Sequence, residues 1–249
     1  MAVVEGRNAV LEALKGERSI DEIVIATGLR SDDRLDQIWR LAGEQGVTIR
    51  TVNRHDLDTM SARGAHQGVV ARLEPFHYAS LAQVIDSTRD ATDALIVVAD
   101  GVTDPQNLGS MARTCEVAGA AALVIGKHRS GQVGATMVKT SAGATEHLSI
   151  VQATNISAAL EALKEAGFWI TGTADDAPGQ LWDADFTGKV GLAFGSEGKG
   201  LSRLVRERCD RLVRIPIVGR VESLNVAAAT AVVVYETVRQ RQAARGTPS

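Results

Sequence analysis

Three short segments of the chain combine glycine or proline with polar side chains at the ends of apolar runs. They are Asn107-Leu108-Gly109 followed by Arg113, then Phe194-Gly195-Ser196-Glu197-Gly198, and then Ile215-Pro216-Ile217 leading to Ser223-Leu224-Asn225. α/β enzymes place their ligands at the carboxyl ends of strands, which is where such segments lie. Glycine lets the backbone approach a ligand, and an arginine can bind a phosphate or stabilise a developing anion. The segments therefore predict a binding site with a cationic group beside it.

The second segment continues through Lys199 to Gly200, between an apolar run and a helical pattern. Its order, G-x-x-G-x-G, differs from the dinucleotide fingerprint G-x-G-x-x-G, and a P-loop would need Ser or Thr in place of Gly200. Ser196 does not fit a nucleophile elbow, because the glycine required two residues earlier is Phe194. The loop is therefore predicted to bring its backbone close to a flat, neutral or mildly charged ligand of another kind.

The segment from Asp104 to Gly109 reads as a turn that leads into a helix. Because free amides at a helix N-terminus bind anions, this end of the helix is a candidate phosphate site. Arg113 is expected in the first or second turn, from which its guanidinium would reach the same place. The alternative for Arg113 is an ordinary surface position on the helix.

The first 74 residues alternate between helical and extended patterns, which indicates a small α/β domain. Helices are predicted at residues 8–14 and 35–45, and strands at 20–26, 47–52 and 69–73. Residues 75–92, which contain Pro75, polar side chains and a short helical stretch around residues 81–85, are expected to form a linker.

Residues 93–249 show a stricter alternation of apolar strands with helices. Strands are predicted at 95–99, 121–125, 168–172, 190–194 and 212–215, and helices at 109–119, at 156–166, from 202 onward and at 225–242. This pattern favours an α/β domain whose parallel sheet is covered by helices on both faces. The last helix is apolar on most sides, so most of its surface is expected to be buried.

Charge is concentrated locally in this chain. The net charge of −3 argues against a protein that binds nucleic acid by bulk charge. Six arginines nevertheless lie between Arg203 and Arg220, and a smaller basic cluster is Lys127-His128-Arg129. Either a solvated helix face or a phosphate-binding surface would explain these clusters.

Cysteine, histidine and hydropathy patterns argue against several protein classes. Cys115 and Cys209 have no metal-ligand spacing and the five histidines are scattered, so no metal site is expected. The chain has no apolar run of 18 or more residues and no signal-peptide pattern at its start. A cytoplasmic protein without a membrane segment is therefore expected.

In order, spacing and residue identity, the three segments resemble the signature motifs of the SpoU/TrmH family of RNA ribose 2′-O-methyltransferases. The resemblance implies S-adenosylmethionine as cofactor and, for residues 93–249, a parallel-sheet α/β domain with the deep trefoil knot of the SPOUT fold. Gly6-Arg7-Asn8 and His66-Gln67-Gly68-Val69 are similar to segments of the ribosomal-protein L30e-like domain with which rRNA-modifying members bind RNA. Residues 1–74 are therefore expected to bind the substrate RNA, and the alternative for His66 and Gln67 is simply to cap a turn.

The resemblance also implies roles for individual residues. The implied catalytic group consists of Arg113, its positioning partner Asn107, Glu197, which would orient Arg113 or the ribose, and the hydrogen-bonding residues Ser223 and Asn225. The implied cofactor-binding residues are Gly195, Ile215 and Leu224, which would act through their backbone, together with Thr171, Gly172 and Pro216. For Asn225, the cap of the last helix is an equally weighted alternative.

The implied function is S-adenosylmethionine-dependent methylation of a ribose 2′-hydroxyl. A guanosine of 23S rRNA is the preferred substrate, because an RNA-binding domain precedes the catalytic one in that branch of the family. The alternatives are a tRNA 2′-O-methyltransferase, an antibiotic-resistance rRNA methyltransferase of the same family, and a non-catalytic RNA-binding protein. The family also implies a homodimer in which each active site borrows residues from the second subunit.

Overall fold

The computed structural model describes residues 2–15, 20–61, 66–73, 76–127, 133–221 and 223–246. The chain divides into two compact units, Met1–His77 and Tyr78–Ser249.

The first unit is a mixed four-stranded sheet with helices on both faces. Its elements are β1 (Ala2–Glu5), α1 (Arg7–Leu14), β2 (Ile20–Ala26), α2 (Asp33–Gln45), β3 (Thr48–Val52), α3 (Arg54–Met60) and β4 (Val69–Leu73). The strand order is β1-β4-β2-β3, in which β2 and β3 run parallel and β4 runs antiparallel to β1 and β2. Val10 and Ile38, from α1 and α2, are buried in one core with Ile23, while Leu57 of α3 is buried in the other core with Val24.

Helix α2 shows how local sequence sets the ends of an element. Asp32 precedes the helix, and its carboxylate accepts a hydrogen bond from the backbone N–H of Leu35 at 2.9 Å. Gly46 follows the helix with a φ of 70°, a left-handed conformation that glycine adopts without a steric penalty. The helix therefore ends before Gly46, as the sequence predicts.

The segment expected to be a linker is partly built into the second unit. It contains α4 (Leu81–Ser87), which begins with a capping box formed by Ser80 and Gln83. Val84 of this helix is only 3% exposed, and Ala79 pairs with Val151 in a parallel β-bridge. The short helical stretch that the sequence predicts around residues 81–85 is therefore present, and it is packed into the second unit.

The second unit contains a fully parallel seven-stranded sheet. Its strands are β5 (Ala94–Asp100), β6 (Ala122–Gly126), β7 (Ser149–Ala153), β8 (Trp169–Thr173), β9 (Gly179–Gln180), β10 (Lys189–Gly195) and β11 (Arg211–Arg214). Their order in the sheet is β7-β6-β5-β10-β8-β11-β9. The trefoil knot that the family resemblance implies is consistent with this order, in which β10 lies between β5 and β8.

Helices surround this sheet. They are α5 (Pro105–Val117), α6 (Ala135–Ser141), α7 (Ala144–His147), α8 (Ile156–Glu165), α9 (Arg203–Arg208) and α10 (Val226–Ala244). Residues 95–99 of β5 are each at most 1% exposed, as expected for a central parallel strand that is covered on both faces. In the described ranges, no helix is long and apolar enough to cross a membrane.

Gly109 allows α5 and α6 to approach closely. A Cβ at this position would overlap the Thr140 hydroxyl of α6 and would lie 2.7 Å from the carbonyl oxygen of Met137. The glycine of the first motif therefore has a packing role, and it fixes where α5 and its polar residues lie.

We predict that Gly109→Ala lowers the free energy of unfolding of the second unit by about 1–3 kcal/mol, the usual cost of overpacking. The matched control is Gly43→Ala in α2, where a Cβ meets nothing within 4 Å and replacement of glycine within a helix should stabilise it slightly. Urea unfolding of both variants tests the prediction. Equal stability of Gly109→Ala and the wild type would contradict it.

Candidate active site

A cavity of about 500 Å³ opens where β8 and β10 end. Its walls are residues 173–176 at the end of β8, residues 194–201 at the end of β10, Arg206, the first turn of α10, and the four residues Ile215, Ile217, Ser223 and Leu224. The volume falls within the range of about 300–1,000 Å³ that is typical of small-molecule sites. The cavity therefore lies at the carboxyl edge of the parallel sheet, where the fold class predicts a ligand.

The loop after β10 is a tight backbone turn that forms one wall of this cavity. Ser196 and Gly200 form two backbone hydrogen bonds, of 3.2 Å and 2.8 Å, which close the loop. A Cβ on Gly195 would overlap the backbone of Gly200 and Leu201. Glycine at position 195 is therefore required by the fold of the loop, and it leaves backbone at the cavity wall.

Three polar residues from distant parts of the chain form a hydrogen-bonded cluster beside this loop. Asn107 and Asn225 donate amide hydrogens to Oε1 of Glu197 at 3.1 Å and 2.7 Å. Asn225 Nδ2 also lies 2.9 Å from Oδ1 of Asn107, to which it donates. We call these residues the Asn107–Glu197–Asn225 cluster. It joins the start of α5, the glycine loop and the start of α10.

Asn225 has the helix-cap role that is one of the two alternatives expected for it. Its Oδ1 accepts hydrogen bonds from the backbone N–H groups of Ala227 at 2.9 Å and Ala228 at 3.3 Å, and thereby caps α10. Its Nδ2 donates to the cluster, so one side chain both starts the helix and holds Glu197.

The expected phosphate site at the start of α5 is not free. Asp104 caps this helix, and its carboxylate accepts from the backbone N–H groups of Gln106 and Asn107 at 3.2 Å and 3.3 Å. Because these amides are already bonded to an anion, a phosphate would be repelled there rather than attracted. The prediction of an anion site at this terminus was wrong.

Arg113 lies further along α5 than expected. It comes eight residues after Pro105, in the third turn of the helix and about 12 Å along the axis. The side chain is exposed and, within the part of the chain that the structure describes, has no hydrogen bond or ion pair. Glu197 bonds to the two asparagines rather than to Arg113, which leaves the guanidinium available to a ligand.

The predicted cofactor residues separate into two groups. Gly195, Ile215 and Leu224 line the cavity, and so does Ser223 from the predicted catalytic set. Thr171, Gly172 and Pro216 are not among the residues that line it.

Thr171 and Gly172 lie inside the sheet. Thr171 is fully buried, and its hydroxyl accepts a hydrogen bond from Nε of Arg211 at 2.9 Å. A Cβ on Gly172 would lie 2.7 Å from the sulfur of Cys209, whose thiol pKa is raised by burial to about 12. The cavity wall begins only at Thr173, because the strand must end before its residues can face a ligand.

Two acidic residues at this edge of the sheet are not identified from the sequence. Asp176 lines the cavity and forms two hydrogen bonds with Arg206, of 2.8 Å and 2.9 Å, which lower the pKa of the Asp176 carboxyl. Asp100, the last residue of β5, accepts from the backbone N–H of Ser202 at 2.7 Å. Asp100 ends β5 and Asp176 comes three residues after the end of β8, and acidic residues so close to the ends of apolar runs are the signal that could have identified them.

The arginine cluster between Arg203 and Arg220 is mainly structural. Five of its members have partners inside the second unit: Arg203 with Glu207, Arg206 with Asp176, Arg208 with Glu161, Arg211 with Thr171, and Arg214 with the carbonyl of Ala177. Five of the six guanidinium groups therefore already have a partner within the second unit. A search of the described ranges finds no group of three His, Cys, Asp or Glu side chains that could hold a metal ion.

Comparison with family profiles assigns both parts of the chain. The profile described as the SpoU rRNA Methylase family matches residues 94–235. The profile described as RNA 2'-O ribose methyltransferase substrate binding matches residues 3–79.

Individual relatives support the same assignment. The 23S rRNA (guanosine-2'-O-)-methyltransferase RlmB of Pseudomonas putida is 40% identical over 231 residues, which make up 92% of this chain and 92% of that protein. An uncharacterized tRNA/rRNA methyltransferase of Synechocystis is 39% identical over 95% of this chain, which spans only 62% of that protein's length. The crystal structure of the SpoU methyltransferase AviRb of Streptomyces viridochromogenes, in complex with AdoMet, matches with a TM-score of 0.65 at 26% identity. That match covers 97% of this chain and 90% of AviRb.

Proposed function

Because the chain belongs to the SpoU family of AdoMet-dependent RNA methyltransferases, we propose that it methylates the ribose 2′-hydroxyl of a guanosine in 23S rRNA. The observation that carries this proposal is the Asn107–Glu197–Asn225 cluster beside a cavity of about 500 Å³. The similarity to RlmB of Pseudomonas putida, at 40% identity over nearly the full length of both chains, supports 23S rRNA as the substrate.

The residues of the cavity suit S-adenosylmethionine. The wall at Gly195 is bare backbone, which can hydrogen-bond a flat adenine ring, while Ile215 and Leu224 offer apolar contact. Asp175 is an acceptor for a ribose hydroxyl, whereas both carboxylate oxygens of Asp176 are already bonded to Arg206. When bound, the cofactor supplies an electrophilic methyl group on a sulfonium.

Arg113 acts as a cation rather than as a base in this proposal. Removing a proton from a guanidinium at pH 7 costs about 8 kcal/mol, at about 1.36 kcal/mol per pKa unit. A charged Arg113 instead holds a phosphate of the RNA and stabilises the alkoxide that develops at the ribose oxygen as the hydroxyl proton passes to that phosphate or to water. Its exposure and lack of a partner in the described ranges leave the guanidinium free for this role.

The Asn107–Glu197–Asn225 cluster positions the ribose. Two amide hydrogens converge on Oε1 of Glu197, and they hold this carboxylate at the mouth of the cavity. A fixed carboxylate can accept a hydrogen bond from a ribose hydroxyl and so line up the attacking oxygen, an effect that accounts for much of the rate in such transfers.

Transfer of labelled methyl from S-adenosylmethionine to unmodified 23S rRNA, 16S rRNA and bulk tRNA tests the proposal, with the position of the label mapped to base or ribose. Label on a ribose of 23S rRNA is expected. Label on tRNA would favour the tRNA enzymes of the family, and no transfer to any RNA would favour a non-catalytic RNA-binding protein.

We also propose that the protein is a homodimer through α5 and α10. Both helices expose large apolar side chains: Val117 is 62% exposed and Tyr235 is 49% exposed. On α10, Ala228 and Tyr235 are exposed and Val232 is half-buried, so the three form an apolar stripe at helical spacing. The two helices pack against each other, and a second copy of the same pair would cover this surface.

Replacing Tyr235 with glutamate is expected to convert the dimer into a monomer, because it places a charge in an apolar interface. Light scattering coupled to size-exclusion chromatography measures the mass. The control is Trp39→Glu, which changes a side chain of similar exposure, 46%, on α2 of the first unit. A wild-type protein that is monomeric at micromolar concentration would refute the dimer.

A further inference from the structure

Gln67 occupies an unfavourable backbone conformation in the first unit. Residues 66–69 form a tight turn, closed by a hydrogen bond of 2.8 Å from the N–H of Val69 to the carbonyl of His66. The φ angles of Gln67 and Gly68 are 48° and 85°, so both central residues are left-handed, as in a type I′ turn. Asn, Asp or Gly normally fills the first central position, because a longer side chain is strained there. The Gln67 side chain is exposed, so burial does not compensate for this strain.

Contacts of His66 and Gly68 restrict the conformation of this turn. His66 is 4% exposed, and its Nδ1 accepts from the N–H of Gly68 at 3.0 Å, which leaves Nε2 to donate to Asp58 at 2.7 Å. A Cβ on Gly68 would lie 2.5 Å from the methyl groups of Leu29, so the chain must pass close to that side chain.

Arg7 supports the turn from the other side. Its Nε donates to the carbonyl of Gln67 at 3.4 Å, and its Nη1 lies 2.6 Å from the carboxylate of Asp32. Both segments that resemble an RNA-binding domain therefore meet at one point, and together they fix the backbone of one exposed glutamine. A maintained strain at an exposed residue indicates that its side chain has a use outside the fold.

The turn lies at the edge where β2 and β3 end. The N–H of Ala26, the last residue of β2, donates to the carbonyl of Gly68 at 2.9 Å. Arg30 and Arg54, which follow β2 and β3, are exposed at this edge and have no ion pair within the described residues. Asp32 and Asp58 at the same edge are bonded to Arg7 and His66. Bulk positive charge therefore does not distinguish this surface, which instead presents an exposed carboxamide on a fixed backbone, with two arginines at the same edge.

We propose that the Gln67 carboxamide is a base-reading contact to an unpaired nucleotide of the substrate RNA. Its two donors and one acceptor match the edges of bases, which proteins read mainly where RNA is single-stranded. His66, Asp58 and Arg7 are positioning residues, because they act through the backbone of Gln67. The proposal rests on the proposed function only in taking RNA as the substrate.

Gln67→Gly is the decisive variant, since it removes the carboxamide and also relieves the left-handed strain. Its melting temperature should equal or exceed that of the wild type, whereas its Kd for the RNA should rise by about tenfold. The slope of the logarithm of the binding constant against the logarithm of the salt concentration should not change, because no phosphate contact is lost. Gln67→Asn keeps a carboxamide and tolerates this conformation, so its loss of affinity should be smaller.

Fluorescence anisotropy with a labelled rRNA fragment measures this binding without any need for catalysis. Equal affinity of Gln67→Gly and the wild type would overturn the proposal, as would a wild type that binds no RNA or a variant with a reduced salt slope. If RNA binding depends on Gln67 but no methyl is transferred to any RNA, the proposed methyltransferase function is refuted, whereas the proposed contact between Gln67 and RNA is supported.

Discussion

Replacing Gly195 with alanine is expected to abolish S-adenosylmethionine binding, with a loss of at least about 100-fold in affinity. The added Cβ would overlap the carbonyl carbon of Gly200 and the amide nitrogen of Leu201. These are backbone atoms of a loop that two hydrogen bonds close, so they cannot move aside as the end of a flexible side chain could. The loop must open, and the cavity wall that it forms is lost. Isothermal titration with S-adenosylmethionine measures the effect directly.

Gly219→Ala is the matched control for this change. Gly219 lies in the sequence between Ile217 and Ser223, which line the same cavity, but Gly219 itself does not line it, and a Cβ there meets nothing within 4 Å. Its affinity for S-adenosylmethionine should stay within about twofold of the wild type. Circular dichroism establishes that both variants are folded. A folded Gly195→Ala protein with unchanged affinity would show that the cofactor does not use this loop.

Arg113→Ala is expected to lower kcat for RNA methylation by about 1,000-fold, similar to the loss of a group that stabilises an oxyanion. The side chain is exposed and has no partner in the described ranges, so neither the melting temperature nor the affinity for S-adenosylmethionine should change. Arg113→Lys should recover only part of the rate, because lysine keeps the charge but not the planar fork that binds a phosphate at two points.

The control for Arg113 is Arg203→Ala, which removes an exposed helical arginine of the same unit. Arg203 pairs with Glu207 at i,i+4 on α9, a contact worth only about 0.3–0.5 kcal/mol. Single-turnover kinetics with saturating RNA should show a wild-type rate for this variant. A similar rate for Arg113→Ala would rule out a catalytic role for Arg113.

The parallel sheet could be predicted because its central strands are continuous apolar runs. Residues 95–99 and 190–194 are almost fully buried, and such strands are apolar whichever face a residue occupies. Elements with weaker patterns were not predicted. Helix α7 has four residues and β9 has two, and both elements are too short to show a periodic pattern of apolar residues.

The Asn107–Glu197–Asn225 cluster could not be derived from periodicity. Asn107 and Glu197 are 90 positions apart, and Asn107 and Asn225 are 118 apart. Local patterns contain no information about contacts over such distances, so these residues were identified only through the family resemblance. The occupied N-terminus of α5, in contrast, was predictable: Asp104 followed by Pro105 is a common helix start, in which the aspartate itself bonds the free amides.

The double role of Asn225 limits how this position can evolve. Serine, threonine and aspartate also start helices well, so selection for stability alone would accept any of them. Only asparagine combines an oxygen for the amides of Ala227 and Ala228 with a separate nitrogen for Glu197. Aspartate, which has a carboxylate in place of the amide of asparagine, would place a second negative charge next to the carboxylate of Glu197. Replacing Asn225 with another helix-capping residue would therefore remove the contact with Glu197, although the side chain is exposed to solvent.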